Sequence, residues 1–135
     1  MMETVQNDVE RWLRQAEDDR DTAEILLNQK RYSACAFHCQ QTAEKALKAL
    51  LYAADARPWG HVLSALLEQA LNQGIAEPIT EVTQAVDELD KHYISARYPD
   101  AFETLIPAEF YTVGMAEEAV EWAETVLQFV RQHLP

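Results

Sequence analysis

The run Asp90-Lys91-His92-Tyr93-Ile94-Ser95-Ala96-Arg97-Tyr98-Pro99-Asp100-Ala101 gathers the side chains best suited to chemistry in this chain. Asp90, His92, Tyr93, Arg97, Tyr98 and Asp100 crowd the end of a helical pattern. Pro99 stops that helix, because its ring fixes φ and pushes the preceding residue out of the helical region. The guanidinium of Arg97 offers a planar fork for a phosphate or carboxylate. Arg97 and Asp100 fit two readings evenly: a pair that holds a ligand, or a structural pair that closes the helix end. Tyr93 fits contact with a base or phosphate, and more commonly a core tyrosine whose hydroxyl finds a partner. His61 fits a relay base, and at least as well a polar residue capping the next helix. His92 and His133 read as surface residues.

A second set lies on the helical run 32–54. Its apolar stripe is Tyr32, Cys35, Ala36, Cys39, Ala43, Ala46, Leu47 and Leu50. Opposite lie Phe37, Gln41, Lys45, Lys48 and Tyr52, a poor composition for a solvated face and a sign of a second buried or half-buried surface. The plain reading is a helix–helix contact with snorkelling lysines. The sharper one has Lys45 and Lys48 offering ammonium groups to a phosphate, or to Asp90 or Asp100. Glu44 and Lys48 also stand at pairing distance along a helix. Cys35 and Cys39, four apart, lack the spacing of a zinc or redox clamp and read as buried thiols; no metal ligand set and no cofactor motif is present.

The elements that must position these residues are helices. At 135 residues, with 3 Gly, 5 Pro and long Ala/Leu/Glu/Gln runs, the chain reads as one all-α domain over residues 1–135. Helical periodicity predicts five segments. The first covers about 7–28, with Asn7 and Glu10 as a capping box, and the second 32–54. The third is short, 62–72, closed by Gly74. The fourth starts at Pro78, and the fifth covers about 112–133. Short connections imply an up-and-down bundle of four long helices plus one short one. Trp12, Trp59 and Trp122 read as packing or interface anchors.

Composition excludes several classes. No apolar run approaches the ~20 residues of a membrane span. Met1-Met2-Glu3-Thr4 lacks the pattern of a signal peptide, so a cytoplasmic protein is expected. The net charge is −12, and the eleven Lys/Arg form no cluster. That argues against extended DNA or RNA tracking, which needs a basic stripe. The acidic runs around Asp18 and Glu118 read as solvated faces that keep the protein soluble.

The ordered set of Trp12-Leu13 with Ala16, Tyr32 through Phe37, Gln40 through Leu51, Gly60-His61-Val62-Leu63, and Leu89-Asp90 followed by Tyr93-Ile94 and Arg97-Tyr98-Pro99-Asp100 resembles the HEPN domain in its stand-alone prokaryotic form. The resemblance implies a helical bundle that dimerises. It also implies a place beside a minimal nucleotidyltransferase, the two forming a toxin–antitoxin pair. Many such domains are metal-independent RNases whose motif is an Arg, four to six residues, then a His. Here the matching arginine is Arg97, but 102–104 are Phe, Glu and Thr, so the linear motif is incomplete. Arg31 and His38 show the spacing far from the expected place, and Arg57 and His61 stand one residue too close.

These readings converge on a binding pocket of Lys45, Lys48, Asp90, Tyr93, Arg97 and Asp100 for a nucleotide or short RNA, with Arg97 and His61 as candidate catalytic residues. The first expectation is a module of a HEPN/nucleotidyltransferase pair. The alternatives are an RNase toxin using an unusual set around Arg97, Tyr93 and His61, and a dimeric structural bundle without a ligand. Because the run 32–54 carries two faces that one small bundle cannot cover, a homodimer burying about 800 Å² per chain is expected. Light scattering at micromolar concentration should report twice the 15.4 kDa chain mass; a stable monomer rules the dimer out.

Overall fold

The computed structural model describes residues 2–135, with side chains from Thr4 onward. Seven α-helices follow one another: α1 Met2–Asn28, α2 Tyr32–Ala53, α3 Leu63–Asn72, α4 Thr80–Asp90, α5 His92–Ser95, α6 Pro107–Phe110 and α7 Val113–His133. A single 3-10 turn, Pro99–Ala101, lies between α5 and α6. No strand occurs among the described residues.

Two cross-helix ion pairs fix the direction of packing. Glu17 meets Arg131 and Arg20 meets Glu124, so α1 and α7 run antiparallel. Trp12 stacks on Tyr52 while Asp19 meets Lys45, so α1 and α2 also run antiparallel. Small side chains line these seams: Ala16 and Ala23 on α1, Ala36, Ala43 and Ala46 on α2, Ala116, Ala119 and Ala123 on α7, all buried. They let the backbones approach closely, while Leu47, Leu50, Leu51, Leu66, Leu89, Leu127 and Val130 fill the centre with no exposure. α2 is the central element, and α3 and α4 cover its remaining side. Cys35 and Cys39 are buried in it, and the hydrogen bond to Cys35 together with burial pushes the Cys39 thiol up, so it stays protonated.

The all-α bundle and its helical runs match the sequence expectation, with local corrections. α1 extends past Asn7 to Met2, so Asn7 is an interior residue and caps nothing; the charged and polar start of the chain simply continues the helix. Ile79, not Pro78, precedes the first residue of α4. Thr112 caps α7, its hydroxyl accepting from the Met115 amide at 3.2 Å. Three helices end alike. After α1, α2 and α3 the chain turns through a left-handed residue, Lys30, Asp55 and Gly74 (φ +61°, +58° and +70°). The next amide in each case reaches back to a carbonyl five residues upstream. Only the third of these stops carries the glycine that marks such a turn in sequence.

His92 corrects another expectation. It is half-buried, and its Nδ1 lies 2.6 Å from the Tyr111 hydroxyl, which ties the end of α4–α5 to the start of α7. Burial lowers its imidazole to about 4, against a smaller opposing pull from Glu88. The folded state therefore favours neutral His92, while the unfolded chain takes up a proton near the ordinary value of ~6.5. Stability is complete above that value and is lost as pH falls from there toward 4. Urea unfolding at pH 7.5 and pH 5 should show a loss on the order of 1–2 kcal/mol that is absent from a His92→Gln variant.

Candidate functional site

Two buried carboxylates organise the chemistry-bearing face of α2. Glu44, 3% exposed, receives Lys48 Nζ at 3.2 Å on one oxygen and His61 Nδ1 at 3.1 Å on the other. Since an ionised carboxylate only accepts, His61 must donate from Nδ1. Asp19 comes from α1 and is 6% exposed. It receives Lys45 Nζ at 2.7 Å and His38 Nδ1 at 3.3 Å. Burial alone would raise the Asp19 carboxyl, but these hydrogen bonds and the Lys45 charge outweigh it and hold it below the usual range.

His61 lies in the loop before α3, and two anchors hold that loop. Gln40, fully buried, donates from Nε2 to the His61 carbonyl at 3.1 Å and accepts from Gln41 at 2.7 Å. The carboxylate of Asp90 accepts from the Leu63 and Ser64 amides at 2.6 and 3.0 Å. Asp90 thus satisfies the first open amides of α3 from a distant helix. His61, expected as a possible cap, leaves that task to it.

The imidazole of His61 stacks on Tyr93 at 4.9 Å and 15°. One turn later Arg97 donates from Nε to the Tyr93 carbonyl at 2.9 Å. Its guanidinium carbon lies 4.4 Å from the Phe37 ring centre, 4.6 Å from Tyr93 and 5.0 Å from Tyr98. Arg97 is exposed, and among the described residues it faces no carboxylate within ion-pair distance. Phe37 in turn meets His38 edge-on at 5.6 Å. Contacts therefore run without a gap from Lys48 through Glu44, His61, Tyr93, Arg97, Phe37, His38 and Asp19 to Lys45.

The structure thus joins Tyr93, Arg97 and His61 directly, and reaches Lys45 and Lys48 through their carboxylates. It does not bring in the other two expected residues. Asp90 is engaged with the α3 amides, and Asp100 stands exposed on the 3-10 turn with no side-chain partner among the described residues. Neither lysine meets Asp90 or Asp100. The Arg97–Asp100 closing pair does not form either, because the Tyr93 carbonyl is the nearer acceptor. Phe37, His38, Gln40, Glu44, Asp19 and Tyr98 complete the cluster. A spacing signal existed for three of them. Gln40 and Glu44 continue the stripe of Leu47 and Leu51, and Asp19 falls between Ala16 and Ala23 at helical spacing. A polar group on an apolar stripe must be paired.

An apolar cleft of about 510 Å³ opens elsewhere, between the start of α1 and the C-terminus. Its ionisable residues are Glu10 and Asp55, which repel an anion. No group of three or more His, Cys, Asp and Glu suited to a metal ion occurs among the described residues.

The HEPN domain family matches residues 9–133. The chain belongs to that family. A relative named "Putative toxin MJ1304", from Methanocaldococcus jannaschii, is 30% identical over 130 residues, which span 91% of this chain and 86% of that protein. Among solved structures, TT1696 from Thermus thermophilus is 38% identical with a TM-score of 0.90, covering 95% of this chain and 99% of that one. ST0689, an archaeal HEPN homologue, is 34% identical with a TM-score of 0.80 over 94% and 98% of the two chains. A HEPN domain protein from Thermotoga maritima is 28% identical with a TM-score of 0.72 over 90% and 95%. In this HEPN chain His61, before α3, and His38, on α2, each lie one aromatic ring away from Arg97, and segment 98–106 after it holds no histidine.

Removing the Asp90 carboxylate leaves two helix-end amides unpaired. Asp90→Ala is expected to lower the unfolding free energy by about 1–2 kcal/mol, read by urea denaturation; unchanged stability would rule out this anchoring role.

Proposed function

We propose that this HEPN protein binds a nucleotide or a short RNA end at the Arg97 cluster and serves in a toxin–antitoxin pair whose other member is a minimal nucleotidyltransferase. The observation that carries the reading is the exposed guanidinium of Arg97, set among Phe37, Tyr93 and Tyr98 without a carboxylate partner in a chain of net charge −12. A guanidinium binds phosphate with two parallel hydrogen bonds, and the rings beside it suit unstacked bases. Family membership and the name of the toxin-like relative support the toxin setting. The cytoplasm suits such a pair. A homodimer fits as well: Trp59 (78% exposed), Val62, Ile94 and Tyr98 leave apolar surface around the site for a second copy to cover.

A second reading, metal-independent RNA cleavage, is favoured by one feature. The His61 imidazole is held through Nδ1 by buried Glu44, and its side chain is 56% exposed and stacked on Tyr93, the ring that Arg97 also meets. That is an arrangement for proton transfer by an imidazole held in place and open to a ligand. The residue is displaced from the usual linear motif, and loss of a well-placed acid or base costs about 10²–10⁴ in rate. The expected outcome is binding with slow cleavage.

The test incubates purified protein with mixed short RNA, without divalent metal, beside Arg97→Ala. Binding by wild type that falls at least tenfold in the variant supports the first reading. Rapid cleavage by wild type that the variant loses supports the second. Equal behaviour of both proteins removes Arg97 from the site.

A further inference from the structure

We propose that Asp19 and Glu44 set the ligand specificity of this site. By neutralising Lys45 and Lys48 they leave Arg97 as its one uncompensated cation, and so restrict it to a single internal phosphodiester and reject nucleoside polyphosphates. The proposal rests on the reading above and narrows its ligand from a nucleotide or RNA end to an internal phosphodiester.

Three cations stand along the contact chain. Lys45 lies 2.7 Å from Asp19, with side-chain exposures of 19% and 8%, and Lys48 lies 3.2 Å from Glu44, with 11% and 4%. Both ammonium groups are largely covered. Drawing either toward a phosphate would strand a buried carboxylate, which is the expensive way to break such a pair. Lys48 is further held by Trp12, whose ring centre lies 5.4 Å from Nζ. The lysines are therefore closed to an incoming anion, and each pair adds no net charge.

Arg97 differs in each respect. It is exposed, and among the described residues its only polar tie uses Nε with a neutral carbonyl, which leaves its terminal nitrogens open. A phosphodiester carries one negative charge over two non-bridging oxygens, which matches a guanidinium edge in charge and in geometry. The flanking nucleosides then meet Tyr93, Tyr98 and Phe37. A terminal phosphate brings a second charge and a triphosphate more still. Nothing among the described residues of the site compensates these, while a net charge of −12 opposes them. Asp19 and Glu44 touch no ligand in this scheme; they act through the lysines they hold.

The test measures binding of a dinucleoside monophosphate (UpU), UMP and UTP to the full chain at pH 8, above the range where an ordinary imidazole titrates, without divalent metal. Wild type should bind UpU at least tenfold more tightly than UTP, with UMP between them. A tenfold rise in salt should weaken UpU about fivefold, the slope of one released counterion. Asp19→Asn and Glu44→Gln each free a lysine. Each should strengthen UTP binding at least tenfold while moving UpU less than threefold, with circular dichroism confirming the fold. Should Glu44→Gln fail to fold, Asp19→Asn and the wild-type salt slope decide. UTP binding as tight as UpU, a slope of two or more charges, or an unchanged UTP/UpU ratio in the folded variants overturns the proposal and leaves RNA binding at Arg97 standing. UpU binding that is absent, or indifferent to Arg97→Ala, overturns the site reading and the proposal together.

Discussion

A carboxylate at the middle of the most buried helix is the constraint around which this molecule is arranged. From Thr42 to Leu51 every residue of α2 except Lys45 is buried, yet the segment includes Glu44 and Lys48. A lone buried charge would cost several kcal/mol. Glu44 is tolerable because Lys48 sits one turn away and His61 closes its second oxygen. Those demands dictate the path of the chain after α2. The loop must return over the same face, place an imidazole on the carboxylate, and offer its carbonyl to Gln40. The start of α3 then needs outside help with its amides, and Asp90 brings α4 to it. Tyr93 follows on the short α5, where it stacks on His61, and Arg97 just beyond that helix turns back to the Tyr93 ring. One buried group thus links core packing to the exposed cluster through a short series of contacts.

Much of this was legible before folding was considered. Alanines and leucines at spacings of three and four marked α2 and α7, and the mixed face of α2 announced a second covered surface. Tyr93 and Arg97, four apart before a proline, share a helix face by geometry alone. What stayed hidden was hidden for physical reasons. Asp19 stands in the run Glu17-Asp18-Asp19, where local charge density says surface; only its register against Ala16 and Ala23 says otherwise. The partners of Lys45 and Lys48 depend on which face of α1 meets α2, a tertiary fact without local signature. His92 looks polar and exposed until Tyr111, nineteen residues on, covers it.

Helix ends show the same division. Gly74 was readable as a stop because glycine enters the left-handed region without penalty. Lys30 and Asp55 adopt the same conformation although a side chain disfavours it by about 1 kcal/mol, so packing of the flanking helices must impose those two turns. Propensity located the strong stop, and tertiary contacts made the weak ones.

α2 contacts α1, α3, α4, α5, α6 and α7, so it cannot fray or open without dismantling the bundle. Segment 97–106, by contrast, is exposed at every residue except half-buried Phe102. Elements with few buried contacts open at low free energy, and those with many open only on global unfolding. The two sides of the Arg97 cluster therefore differ in stiffness. Phe37, Glu44 and the imidazole they help position form a hard floor, and Tyr98 with the turn behind it forms a compliant rim. Entry and residence time are then properties of the rim, while the register in which a bound group meets the imidazole is a property of the floor. Sequence change in 98–106 can retune the kinetics of exchange without disturbing geometry, whereas any change along α2 alters both at once.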